Sequence, residues 1–267
     1  MLTILRVAVA QGENSSAHRT QQGSGQPGRR ADGTANSAVP PLTAEHVGVT
    51  NVLMRAFKFR TAENLHFVLD ILIHRRLYCA PTSMLNDIRE GDVRIGQDQG
   101  REVEILDFGM GVGKRVRELR VCALSTTIDN HLLWANYAGG YSGVAIEVDI
   151  PDEDALPVEY GDNFIFLSDL KGRFSTDEAA RAVLLRKYGD WSYEREVRII
   201  GTEPYYKLAR PISRVVLGSR VTPAVTAALQ ILCRHYGVEL KRMVVADHGI
   251  YTVGSQESPL LRRSGDA

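Results

Sequence analysis

Long apolar runs are missing from this chain of 267 residues. No stretch approaches the roughly 20 residues needed to cross a bilayer, so no membrane partner is expected. The opening decapeptide MLTILRVAVA ends on Ala8-Val9-Ala10, as a secretion signal does. Arg6 interrupts its apolar stretch and leaves it too short for a signal core, so the expected location is the cytoplasm. A surplus of charge is missing too: Lys plus Arg and Asp plus Glu number 32 each. That balance argues against a protein that grips nucleic acid mainly through net charge, although a local basic groove stays open. Cysteine is scarce, with Cys79, Cys122 and Cys233 far apart and no CxxC pair. Cys233 with His235 is the one near Cys/His pair, so no metal cofactor is expected. Each cysteine lies among apolar residues and reads as a small buried hydrophobe, in keeping with a reducing compartment. No internal repeat is visible.

What is present suffices for a core, since the chain is 44% hydrophobic and 24% charged. Residues 11 to about 48 are rich in Gly, Ser, Gln, Asn, Pro and Arg, with almost no large apolar side chain to offset ordering entropy. Residues 1–50 are therefore expected to be a disordered tail. A translation start placed too early reads equally well, because Met54 opens the folded region. The folded domain is expected over 51–255, with a frayed tail over 256–267.

Val52 to Arg60 reads as a strand. Thr61 can cap a helix whose Leu65, Val68, Leu69 and Leu72 share one face. Leu77 to Ala80 is a short strand stopped by Pro81, and Met84 to Gly91 is a polar turn. Residues 94–117, polar and Gly-rich, predict a mobile loop. Gly109 to Lys114 within it resembles a phosphate loop, but Phe108 stands where the first Gly belongs and Arg115 replaces the magnesium-holding Ser or Thr. Val121 to Ser125 is a strand, Asn130 to Ala138 a short helix, and Gly143 to Val148 a strand. Ser175 opens a helix with capping-box spacing that runs to Tyr188. Glu194 to Gly201 and Ile212 to Leu217 are strands. Thr222 and Pro223 start a helix through Tyr236 that Gly237 stops, and Val238 to Ala246 is the last strand. Helices and strands alternate irregularly, so the expected class is α+β, a single mixed-sheet domain.

The segment Trp191 to Arg198, WSYEREVR, stands out as a candidate site. In a strand Glu194, Glu196 and Arg198 share one face, with the two carboxylates about 7 Å apart. One carboxylate can keep its charge while the other stays partly protonated, a division of labour useful in catalysis. A solvated face with an ion pair to Arg198 is the plain alternative, weakened by the aromatic neighbours Trp191 and Tyr193. His131, Trp134 and Tyr137 recur at i+3 steps, a stripe that suits either an aromatic core face or stacking on a planar ligand. Arg60 could hold a phosphate bidentately. Asn86, Asp87 and Glu90 crowd one turn, and Lys187 reads as a helix-end cation.

Several blocks carry a resemblance. Phe57-Lys58-Phe59-Arg60, Leu85-Asn86-Asp87-Ile88-Arg89-Glu90, Leu133-Trp134-Ala135-Asn136-Tyr137 and Lys187 with Trp191 to Arg198 occur in that order. They resemble a widespread bacterial and phage-borne domain family of unknown function, marked by Y-K-Y-R, N-D-P-F-E, M-W-x-H-Y and K-x3-W-x-Y-E-x-E-x-R. Ile88 stands where that family has Pro, and Asn136 where it has His. More remotely, Arg60, Ser125-Thr126-Thr127 and Glu194-Arg195-Glu196 resemble the Arg, Ser-Thr-Ser and Glu-x-Glu elements of ADP-ribosyltransferases, which are built on a split sheet. That resemblance implies NAD as cosubstrate, bound by Arg60 and Ser125, with Trp134, Tyr137 or Tyr193 stacking on nicotinamide. It implies Glu196 as the catalytic carboxylate and Glu194 as the group that activates an acceptor macromolecule, protein or nucleic acid, as in a toxin or phage-defence effector. Two other readings stay open. One is a hydrolase or nuclease using Asp87, Glu90, Glu194 and Glu196 around a divalent cation. The other is a non-catalytic module that binds a nucleotide or a partner.

Overall fold

Both faces of the segment Leu53–Arg60 are apolar, with Ala56 turned one way and Phe57 and Phe59 the other, so this strand belongs inside a sheet rather than at its edge. It is so placed in the computed structural model, which describes residues 52–87, 93–94, 102–163, 165–246 and 249–254. The expectations for the tail over 1–50, for Ile88 to Gly91 and for the tail over 256–267 fall outside the described residues.

The strand β1 (Leu53–Arg60) leads to α1 (Leu65–His74), β2 (Arg76–Tyr78), β3 (Ala80–Pro81), β4 (Val93–Arg94) and α2 (Glu102–Glu118). Then come β5 (Arg120–Ser125), α3 (His131–Tyr137), β6 (Val144–Pro151), β7 (Leu156–Pro157), β8 (Glu159–Tyr160) and β9 (Ile165–Phe166). The short helix α4 (Leu167–Leu170), α5 (Thr176–Leu184), β10 (Arg186–Lys187) and a 3-10 turn (Gly189–Glu194) precede β11 (Glu196–Gly201). The described chain closes with β12 (Tyr205–Lys207), β13 (Arg214–Leu217), α6 (Pro223–Tyr236), β14 (Glu239–Ala246) and β15 (Gly249–Gly254).

The main sheet runs β15-β14-β13-β6-β1-β5-β11-β7, with β3 also on β5. It is mixed, because β13 and β14 are parallel while its other pairs are antiparallel. This is the α+β, single mixed-sheet domain expected. On one face α1 and α6 bury Val68, Ile71, Leu229 and Cys233 against Ala56, Ile146, Leu124 and Val215. The other face carries two separate covers. The helix α3 packs Leu133 and Trp134 onto Phe57, Phe59 and Ala145, while α2 and α5 pack Ile105, Val112, Ala180 and Val183 onto Val121 and Ile200.

One seam in the sheet is nearly open. β1 pairs with β6 along eight residues and β5 with β11 along six, but β1 meets β5 at a single pair, Phe57 with Ser125. Beyond that pair the strands diverge, and Lys58 spans the divide, donating from Nζ to the Ala123 carbonyl at 2.6 Å.

The mobile loop expected over 94–117 is corrected: Glu102–Glu118 is a helix. Ile105, Val112 and Leu119 recur at seven-residue steps and are buried, which is the mark of one helical face. Glycine there serves close packing, since a Cβ on Gly109 would fall 2.5 Å from Leu167 Cδ1. Gly143 has a similar use beside the seam, where an added Cβ would lie 2.1 Å from the Arg60 carbonyl oxygen. Gly143→Ala is therefore expected to lower stability by about 1–3 kcal/mol, visible as a lower urea midpoint with unchanged slope. An unshifted midpoint would refute this close approach. The Ser175 capping box, the Thr222 cap and the left-handed stop at Gly237 are as expected. Among the described residues no helix is long and apolar enough to cross a membrane.

Candidate functional site

The open seam between β1 and β5 holds a cavity of about 290 Å³. β1 supplies Lys58 and Arg60 to its wall, β5 supplies Ser125, α3 supplies Tyr137, and β10 with β11 and the turn between them supplies Lys187, Glu194, Glu196 and Arg198. Phe57, Phe59, Phe67, Tyr78 and Leu133 make the remainder largely apolar. Four basic side chains thus face two carboxylates, and the burial of Lys58, Lys187, Arg198, Glu194 and Glu196 strengthens the charge interactions among them.

The carboxylates reach this wall by a different route from the expected strand. Glu194 ends the 3-10 turn, and only Glu196 begins β11. Arg195 between them adopts the left-handed conformation, φ 44°, and its side chain goes to the surface. The bend replaces strand alternation, yet both carboxylates still converge. Lys187 Nζ lies 2.6 Å from Glu194 Oε2 and 2.9 Å from Glu196 Oε2. The reading of Lys187 as a helix-end cation is thereby corrected. α5 stops at Leu184, and Lys187 sits on β10, buried between two acids.

Each carboxylate has further partners. Arg198 donates to both oxygens of Glu196, at 2.7 and 3.1 Å, and to the Leu184 carbonyl at 2.5 Å. The Glu196 backbone N–H donates to the Tyr160 hydroxyl at 2.7 Å. Tyr137 donates its hydroxyl to Glu194 and receives the Asn86 amide at 2.5 Å. Burial works against the charge of Glu196, but Arg198 and Lys187 outweigh it and bring its pKa down to about 2. Burial prevails at Glu194 and raises its pKa against the opposing pull of Lys187 and Tyr137. The pair is divided in the manner that the motif suggested, one carboxylate firmly ionised and the other nearer to holding a proton. Tyr137→Phe is expected to raise the Glu194 pKa further by removing a hydrogen bond to its charged form. Carboxyl-carbon NMR titration of Glu194 would show it, and a fall would refute the assignment.

The remaining predicted residues separate into those the site gathers and those it does not. Arg60 lines the cavity with its guanidinium 5.0 Å from the centre of the Phe67 ring, and its buried Nε has no hydrogen-bond partner among the described residues. Burial lowers its pKa. The Ser125 hydroxyl donates to the Glu194 carbonyl at 2.5 Å and accepts from the Thr127 amide at 3.2 Å, so it holds the turn in place. Trp191 lies beside Lys187, its ring centre 4.9 Å from Nζ. Tyr193 stands outside the cavity lining, with its hydroxyl accepting from Asn136 at 3.2 Å. Asn136, where the resembled family has His, is exposed there.

Trp134 needs correction as a stacking residue. It is fully buried, meets Phe59 edge-on at 5.2 Å and donates from Nε1 to the Ile128 carbonyl at 2.7 Å, so no ligand can reach its face. His131 is at the surface beside the Tyr141 hydroxyl. Asp87 is buried but does not line the cavity, and Glu90 lies outside the described residues. Phe67, Tyr78 and Tyr160 were missed. Phe67 falls off the apolar face read at Leu65, Val68, Leu69 and Leu72, and Tyr160 in a polar stretch without any pattern. Among the described residues no three His, Cys, Asp or Glu side chains gather where they could hold a metal ion. Comparison with family models, with curated proteins and with solved structures finds no match to this chain.

Proposed function

We propose that this chain is an NAD-consuming enzyme of the ADP-ribosyltransferase type, acting in the cytoplasm on a protein or nucleic-acid acceptor. The observation that carries the reading is the meeting of Arg60, Ser125 and Glu196 on one cavity at a seam in the sheet, although the sequence scatters them over more than a hundred residues. The charges suit the chemistry as well. A dinucleotide diphosphate would answer the surplus of cations, with Arg60 at its phosphates. Departure of nicotinamide with the bonding electrons leaves a cation at the ribose carbon, and the Glu196 carboxylate is the fixed negative charge that stabilises it. Glu194, its pKa raised by burial, is the better base and takes the proton of the incoming nucleophile. Tyr137 holds one oxygen of Glu194 and Ser125 anchors its backbone. The carboxylate–metal reading fits less well, because the ammonium of Lys187 already stands between the two acids.

Incubated with NAD, the purified chain is expected to release nicotinamide and to melt at a higher temperature. Absence of both effects, with candidate protein and nucleic-acid acceptors present, would overturn the proposal.

A further inference from the structure

Two of the three cysteines oppose each other behind the cavity wall. In the antiparallel ladder of β3 and β5, Ala80 pairs with Val121 and Pro81 with Arg120. Continuing that register by one residue sets Cys79 opposite Cys122. Opposed residues of antiparallel strands hold their Cα atoms about 4.5–5.5 Å apart, inside the range of roughly 4.4–6.8 Å that a disulfide bridges. Both side chains also turn to the same face, entering the core under α1 and α6, and both are free thiols.

The surroundings activate one of them. The Cys79 sulfur lies against the Leu77 carbonyl at 3.9 Å, and the neighbouring Cys79 thiol, Lys58 and Arg60 all favour negative charge on Cys122. Against the cost of burial these bring the Cys122 pKa down to about 6, while its neighbour Cys122 and burial push Cys79 up. The thiolate is the form that attacks oxidants. Neither sulfur lines the cavity, whose wall carries their chain neighbours Tyr78, Ala80, Val121 and Ala123, so a small oxidant reaches the buried pair only as the two-residue ladder of β3 and β5 opens.

We propose that Cys79 and Cys122 form a reversible redox-modification site, closed to an intramolecular disulfide by hydrogen peroxide and reopened by a dithiol. The Cys122 thiolate attacks a peroxide oxygen, the O–O bond breaks, and hydroxide leaves to become water. The sulfur of Cys79 then attacks the resulting sulfenic acid. Its S–O bond breaks, and the hydroxide departs as water with the Cys79 proton. Two thiols lose two electrons, and both peroxide oxygens end as water. Closure ties β3 to β5 and removes the Cys122 thiolate from beside Lys58, while Glu196 remains as an opposite charge acting on it. Thiol pairs of this kind in a reducing compartment are transient sensors rather than staples. The site stands independently of the NAD reading.

The test uses the full chain, reduced, exposed to hydrogen peroxide, then denatured, alkylated and mapped by peptide mass. Of the three cysteines, only Cys233 should remain open to alkylation, with a linked Cys79–Cys122 peptide that dithiothreitol releases. Cys122→Ser should abolish the link and leave both Cys79 and Cys233 alkylated. Full alkylation after peroxide, a link through Cys233 or between chains, or Cys122 sulfinic acid without a link would each overturn the proposal. The wild-type map decides the matter even if the variant fails to fold.

Discussion

Lys187→Met is expected to destabilise the fold by about 3–5 kcal/mol at neutral pH, because it removes the ammonium shared by two buried carboxylates. Arg198 still neutralises Glu196 in the variant, so the uncompensated charge falls chiefly on Glu194. The sign of the pH dependence follows. Glu194 already has a folded-state pKa raised above its ordinary 4.5, and losing Lys187 raises it further. A carboxyl raised in the folded state lowers stability as pH rises from the unfolded value through the folded one. The penalty should therefore shrink as pH falls from 7 to 5 and Glu194 takes up its proton more readily. Glu196 behaves in the opposite sense. Its depressed pKa contributes stability that is present above about pH 4.5 and lost as pH falls toward 2. Urea titrations at several pH values measure both effects. An equal loss at pH 7 and pH 5 would mean that Lys187 contributes packing alone.

Glu196→Gln should lower the rate of nicotinamide release by about 10²–10³-fold, the usual cost of removing one preorganised electrostatic group. The amide keeps the shape but loses the charge, so the KM for NAD should change little while kcat falls. Arg198 loses an anionic partner in this variant, and circular dichroism with a melting curve must show that the fold survives. Glu194→Gln is the informative companion. If Glu194 is the base, the acid limb of the rate profile follows its raised pKa and disappears in that variant. Wild-type rates in a folded Glu196→Gln protein would refute the catalytic assignment.

The seam between β1 and β5 connects these expectations. A sheet paired along its full length would fill this space with backbone hydrogen bonds, and Lys58 and Ser125 would sit in an ordinary core. Here the strands part after Phe57 and Ser125. Residues from one face, such as Lys58 and Arg60, can then share a cavity with Glu196 and Arg198 from the other half of the sheet.

Much of this protein was legible in its residues because the signals are local. Caps at Ser175 and Thr222, the stop at Gly237 and the apolar faces of α1 and α6 act within one or two helical turns. The paired carboxylates with their aromatic neighbours likewise marked a candidate site from a single octapeptide, and they line one cavity. Signals that depend on partners failed. The glycines around 109–113 suggested looseness, because nothing nearby in sequence shows that Leu167 presses against Gly109 and Thr176 against Gly111. Trp134 suited a core face better than a ligand in its stripe, was assigned to a ligand by the resemblance, and is buried against Phe59. Glu194 to Gly201, expected as one strand, became the end of a turn and a strand joined by a left-handed Arg195, with both carboxylates meeting Lys187. Nor does any spacing reveal that Cys79 falls opposite Cys122 or that Arg60 and Glu196 line one cavity. Short-range preferences write helices, caps and turns into the chain, whereas a cavity is made of residues brought together only when distant strands pair, or fail to pair.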